Sequence, residues 1–155
     1  MTAASPGPEQ AQHDDLVCQV VRGTAEAEVV LRTDEVVAFL DIHPVFKGHV
    51  LVCPVRHADT LLELEPDQMV PLLTAAQRVA RAISGALGAQ GTFVAVNNVV
   101  SQSVHHLHVH VVPRTRGDGL RGFFWPRQRY AEGEREAYGT LLREALAVQE
   151  PGPRD

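Results

Sequence analysis

Four of the eight histidines in this 155-residue chain fall between positions 105 and 110, within Gln102-Ser103-Val104-His105-His106-Leu107-His108-Val109-His110-Val111-Val112-Pro113-Arg114. His106, His108 and His110 alternate with Leu107, Val109 and Val111. Alternate side chains of a β-strand take opposite faces, so the spacing predicts a strand with three imidazoles in front and aliphatics behind. The β-branched run Val104 to Val112 supports that strand, and Pro113 is expected to end it. Imidazole titrates near neutral pH, so such a row can supply a general base, a general acid or a nucleophile. As a nucleophile it attacks phosphorus, and neighbouring imidazoles can fix its tautomer and stabilise charge on phosphate oxygens.

Two other uses of the row compete with this one. Buried structural histidines would need three separate sets of partners. Same-face neighbours on a strand lie roughly 6.6 Å apart, whereas zinc ligands sit about 2.0–2.1 Å from the ion, so one ion can take two of the three but hardly all. Between Val99 and Val112 there is no carboxylate, which also disfavours a cation site built from this segment alone. Gln102 and Ser103 instead bring a carboxamide and a hydroxyl, both able to bond a phosphoryl oxygen or a leaving group. A catalytic row for phosphorus chemistry fits best.

The rest of the chain has to position that row. Asp14 to Arg22 is predicted as a short helix stopped by Gly23. Glu28–Arg32, Val36–Ile42 and His49–Val55 are predicted strands, joined tightly through Thr33-Asp34-Glu35 and more widely through His43 to Gly48. Pro66 opens a long helix that Gly88 ends, with Met69, Leu73, Ala76, Ala80, Ile83 and Leu87 as its apolar stripe. Thr92 to Asn98 is the fourth strand, the histidine strand the fifth, and Glu132 to Val148 the last helix. Strands joined by short loops predict an α+β fold on an antiparallel sheet. Residues 14–150 are expected to form one domain between disordered tails at 1–13 and 151–155.

Composition narrows the class. Hydrophobic residues make up 45% and charged residues 21%, as in ordinary globular domains. The net charge of −5 argues against a general nucleic-acid or anionic-membrane binder. Cys18 and Cys53 form no disulfide framework, and no apolar run reaches the ~18 residues of a membrane span, so a cytoplasmic protein is expected.

The histidine segment resembles the signature of the histidine triad superfamily, His-φ-His-φ-His-φ-φ with φ apolar. A second block, Val37-Ala38-Phe39-Leu40-Asp41-Ile42-His43-Pro44 followed by Gly48-His49-Val50-Leu51-Val52-Cys53-Pro54, is similar to the family's nucleotide-binding strands. The resemblance spans about residues 16 to 115 and implies a HIT-like five-stranded antiparallel sheet, one long and one or two shorter helices, and a homodimer across which the sheet continues. It implies a nucleotide hydrolase in which His108 attacks the α-phosphorus and becomes nucleotidylated, while His106 and His110 orient and stabilise the phosphate. Gln102 and Ser103 are implied to touch phosphate or leaving group. Phe39, Leu40, Asp41 and Ile42 are implied to wall the base and ribose, with His49 and Asn98 near the site. The purine nucleotide or dinucleotide substrate would be hydrolysed with no required cofactor, a divalent cation accompanying a polyphosphate.

Two departures from the family pattern matter. Asn97-Asn98-Val99-Val100-Ser101-Gln102 is a short loop, with Ser101 where glycine is usual, which alters the leaving-group side. Some members carry a Cys-x-x-Cys that joins histidines in a structural zinc site. Here Asp15 precedes Cys18 by three positions and, with His57 and His106, leaves at most a remnant, so no metal is expected. Beyond the shared core, Arg114, Arg116, Arg121, Arg127 and Arg129 are five of the fourteen basic residues and suit the distal phosphates of a polyphosphate. Cleavage of a dinucleoside polyphosphate is therefore the first expectation. Cleavage of the P–N bond of a nucleoside phosphoramidate is the second, and a nucleotide-binding regulator with little turnover the third.

Overall fold

The computed structural model describes residues 13–120 and 128–149, which fall into two compact units divided after Asp118. Residues 1–12 of the expected 1–13 tail, the expected tail at 151–155, and Arg121 and Arg127 lie outside the described residues. In the first unit, helix α1 (Leu16–Arg22) is followed by strands β1 (Val29–Arg32), β2 (Val36–Leu40) and β3 (Val50–Pro54). A single 3-10 turn at Leu61–Glu63, helix α2 (Pro66–Leu87), and strands β4 (Gly91–Ala95) and β5 (Val109–Arg114) complete it. The second unit carries helix α3 (Glu134–Val148), where Tyr130 and Tyr138 lie with ring centroids 5.9 Å apart. The five strands form one antiparallel sheet in the order β1-β2-β3-β5-β4.

Local chemistry accounts for the boundaries. The Asp15 side chain accepts from the Cys18 N–H and caps α1, and Gly23 ends it in the left-handed conformation. Pro66 occupies the first turn of α2, and Gly88 ends it the same way. The sheet has two apolar faces. Val36, Ala38, Val50, Val52, Val109 and Val111 pack against α2, while Val37, Phe39 and Cys53 pack against Val17 and Val20 of α1.

Three sequence expectations need correction. The face of α2 turned to the sheet is Leu72, Ala75, Ala76, Val79 and Ile83, whereas Met69, Leu73 and Leu87 are exposed. Two adjacent apolar stripes compete on this helix, and the one bearing the alanine pair allows the closer approach to the valine-rich sheet. Secondly, β5 begins at Val109, after His106 and His108, and Pro113 lies inside it opposite Thr92. Extending the β3–β5 register would set Leu107 against Pro54, which has no N–H to donate, and the Pro54 carbonyl is already taken by the His106 ring. Leu107 bonds instead to the Ala58 carbonyl at 2.7 Å. Thirdly, β2 ends at Leu40, leaving Asp41 and Ile42 in the following loop.

Candidate active site

The histidines separate into two groups. On the α1 face, the paired positions Phe39, Leu51 and His110 follow one another across β2, β3 and β5. His49, just before β3, turns its Nε2 to His110 Nδ1 at 3.0 Å, and His108 sits beside His110 with ring centroids 4.9 Å apart. His106 belongs elsewhere: it is fully buried, with Nδ1 3.2 Å from Asp15 and 3.6 Å from the Cys18 sulfur. The expected front of three imidazoles is thus a pair, His108 and His110, because the Pro54 carbonyl and Asp15 hold the His106 ring away from them.

Hydrogen-bond partners assign the tautomers. The Val45 N–H donates to His49 Nδ1 at 3.2 Å, so the proton of neutral His49 is on Nε2 and is donated to His110 Nδ1. That leaves the His110 proton on Nε2, a buried atom with no hydrogen-bond partner among the described residues. His108 donates from Nδ1 to the His106 carbonyl at 2.7 Å, so its Nε2 carries the lone pair. Burial first, then the neighbouring imidazoles His108 and His49, push His110 from 6.5 down to about 4. Burial likewise lowers His49, against the pull of Asp41. Asp41 lies 3.6 Å from His49 Nδ1, too far to compete with Val45 for that nitrogen. The site therefore presents a lone pair on His108 next to a free N–H on His110, a nucleophile beside a donor for developing negative charge.

The other expected residues divide. Asp41 keeps Oδ2 toward His49 at 3.6 Å while Oδ1 accepts from the His43 N–H. Phe39 is 3% exposed and packs with Val17 and Val20 as core. Leu40 points the other way, against the α2-side cluster, and is removed from the expected base wall by the alternation of β2. Ile42 is 80% exposed, on the loop beside Asp41. Ser103 is exposed, five residues before His108.

Gln102 and Asn98 do something the residue types did not announce. Gln102 is buried, accepting from the Val99 N–H and donating to the Asp59 carbonyl, and the Asn98 carboxamide oxygen accepts from the Leu61 N–H. Both clamp the short loop to the segment around the 3-10 turn. The loop is strained, since Val99 and Ser101 sit at φ 68° and 63°, a left-handed region that a β-branched residue rarely enters. Asp59 was invisible to motif reasoning, being one more surface-type carboxylate until its neighbours are known.

The family zinc site has to be tested against the second group. Asp15, Cys18, His57 and His106 bring one ligand atom each within 4.8 Å of one another. Burial raises the Asp15 pKa, but hydrogen bonds with His106 and the Cys18 N–H outweigh it and hold the carboxyl well below the usual range. Burial and Asp15 push the Cys18 thiol up to about 12. A carboxylate, a sulfur and two imidazole nitrogens are a donor set zinc accepts, so the residues fit the group even with Asp15 in place of a thiol. The expectation of no metal thus stands against four converging ligand atoms. Asp41, His49 and His110 also lie close together, but there His49 donates directly to His110 and the lone pairs do not converge.

The comparisons agree with this geometry. The HIT domain model matches residues 22–117. An uncharacterized HIT-like protein of Mycobacterium tuberculosis is 36% identical over 89% of this chain and 96% of its own length. The adenosine 5'-monophosphoramidase of Schizosaccharomyces pombe is 32% identical over 82% of this chain and 94% of its own. The asymmetrical bis(5'-nucleosyl)-tetraphosphatase of that yeast is 33% identical over 59% and 52%. Among solved structures, a zinc-bound histidine triad family protein from Mycobacterium smegmatis superposes with a TM-score of 0.64 at 36% identity, covering 86% of this chain and 93% of that one.

Proposed function

The chain belongs to the HIT domain family, and on that premise we propose that it is a nucleotide-binding hydrolase acting at the α-phosphorus through a nucleotidyl-His108 intermediate. One observation carries the reading: the His108 Nε2 lone pair stands beside the unpartnered N–H of His110. In the first step the Nε2–P bond forms as the bond to the leaving group breaks, and the leaving atom takes up a proton. His110 donates to a phosphoryl oxygen as charge builds there. In the second, a water oxygen bonds to phosphorus, the Nε2–P bond breaks, and the water's proton passes to solvent. The His106 carbonyl keeps the Nδ1 proton of His108 in place throughout, so in the neutral ring the lone pair lies on the attacking Nε2. Asp41 accepts from the ribose, and Ile42 covers the base.

A compact leaving group suits this site better than a long polyphosphate, which reverses the order of the sequence expectation. Arg114 is bound by two nitrogens to Asp118, at 2.6 and 3.1 Å, instead of awaiting a phosphate. Gln102 and Asn98 already have partners, while Ser103 beside them is exposed. The phosphoramidase relative also aligns with more of the chain than the tetraphosphatase does. Dinucleoside polyphosphate cleavage is the second reading, favoured by Arg116. A turnover panel of adenosine phosphoramidate against diadenosine tri- and tetraphosphate tests both. A higher kcat/KM for the phosphoramidate is expected; a preference for the polyphosphates reverses the assignment, and no turnover of any of them removes it in favour of a binding protein.

A cytoplasmic homodimer with the sheet continued past β4 belongs to the same reading. β4 is an end strand of the sheet among the described residues, and pairing of such ends between copies is how the family resemblance would continue the sheet. Light scattering of the purified chain measures its mass, and a monomer at working concentration would set that part aside. No helix among the described residues is long and apolar enough to cross a membrane.

A further inference from the structure

The α2 side of the sheet carries a groove for which the proposed reaction has no use. A cavity of about 550 Å³, wholly within the first unit, runs between the second half of α2 and strands β1 to β3. Small local choices shape it. In β1, Val29 pairs with Phe39 and Leu31 with Ala38, so Val30 is an extra residue in the ladder. Neighbours on a regular strand face opposite ways, yet at this irregularity Val30 and Leu31 both line the groove. On the helix side, Ala82 and Ala86 stand one turn apart, exposed and too short to fill it. Gly48, at φ 95°, lets Leu87 lie over its backbone, where a Cβ would be 2.5 Å from a Leu87 methyl carbon.

The lining selects a ligand class. Apart from Lys47 and Arg78 it consists of aliphatic side chains and one glycine. A nucleobase has no ring to stack on there, and a neutral polar group or a cation has no side chain to bond. Lys47 and Arg78 are exposed, and neither has an ion-pair or hydrogen-bond partner among the described residues, in a chain of net charge −5. Two unpaired cations beside an apolar trough complement an anionic head on a flexible hydrocarbon chain. From Arg78 to Leu87 the helix advances about 14 Å, the reach of a medium-length chain. We propose that this groove binds a medium-chain fatty acid anion, with its chain along Val30, Leu31, Val79 and Ile83 and its carboxylate drawn by Lys47 and Arg78. Val50 lines the groove, while the next residue, Leu51, is paired with His110 on the opposite face. The sheet therefore separates the fatty chain from the nucleotide, and the site stands without the proposed reaction.

The full chain is titrated with dodecanoate by calorimetry, below the critical micelle concentration. One dodecanoate per chain is expected. Affinity should fall roughly two- to fourfold for each methylene removed through decanoate and octanoate, fourfold being the limit of full burial. Dodecyltrimethylammonium should bind at least about tenfold more weakly, and Lys47→Glu with Arg78→Glu should weaken dodecanoate by about tenfold. Ala82→Trp fills the groove from an exposed position, and Val30→Asp puts a charge into it from another. Each should weaken binding by at least about tenfold while keeping the wild-type circular dichroism spectrum. Saturating AMP should leave the dodecanoate affinity unchanged. No saturable binding, equal binding of the cationic amphiphile, or wild-type affinity in both Ala82→Trp and Val30→Asp overturns the site. Displacement by AMP overturns it by placing the anion among the histidines. A loss of molecular mass in Ala82→Trp by light scattering overturns it in favour of a second copy as the occupant.

Discussion

His106 and His108 are two residues apart and present opposite nitrogens. His106 gives its Nε2 hydrogen to Pro54 and turns a bare Nδ1 toward Asp15 and Cys18; His108 gives its Nδ1 hydrogen to the His106 carbonyl and bares Nε2. Around His106 lone pairs converge, which suits a cation. Around His108 the relay Val45, His49, His110 ends in an N–H with no acceptor among the described residues, which suits an anion. The lesson is that a histidine's role is set by what its other nitrogen bonds to, and the two groups differ in their backbone neighbours while sharing residue types.

The comparison can be broken at several points. The largest effect is expected for His108→Ala: turnover should fall by about 10³-fold or more while nucleotide affinity changes only a few-fold, read by steady-state kinetics and calorimetric titration. Near-wild-type turnover would dissolve the distinction between the groups. His110→Ala removes the free donor and should lower kcat by roughly 10²-fold, with metal content untouched. An equal loss of metal in that variant would show that the two groups are one. His49→Ala leaves His110 without its orienting donor and should cost about tenfold in kcat, less than removing His110 itself.

The smallest effect is in stability. His110 is lowered from 6.5 to about 4, so between those values the unfolded chain takes up a proton that the folded ring refuses. Stability should therefore fall as the pH drops from 6.5 toward 4 and level off below that, by about 1 kcal/mol once the partly exposed ring is allowed for. Urea unfolding at about pH 7 and about pH 4.5 measures it. His110→Gln should shrink the difference between the two conditions, and an unchanged difference would place the acid sensitivity elsewhere.

Much of this molecule is legible in its residues because local chemistry decides it. Asp15 and Gly23 bound α1, Pro66 and Gly88 bound α2, and the valine-rich runs of β2 and β3 are strands because little else suits them. Three things were not legible, each for the same reason. The start of β5 depends on Pro54, far back in the chain; the sheet-facing side of α2 depends on which stripe the sheet accepts; and the partners of Gln102 depend on Asp59. Periodicity predicts which side chains share a face, but not which distant carbonyl will claim a ring nitrogen. Hence the triad was visible as a motif while the departure of His106 from it was not.

The strained turn before the triad bears on how this site can change over generations. Val99 and Ser101 hold left-handed backbone, and Val99 and Val100 are 68% and 79% exposed. Glycine at position 99 would relieve the folded chain but free the unfolded one, opposing effects of about 1 kcal/mol each. Substitution there is therefore close to neutral for folding, and side chains at 99 and 100 can drift at the rim of the site. Selection for a different leaving group has room to work at that rim, with the histidines and their supporting carbonyls left untouched.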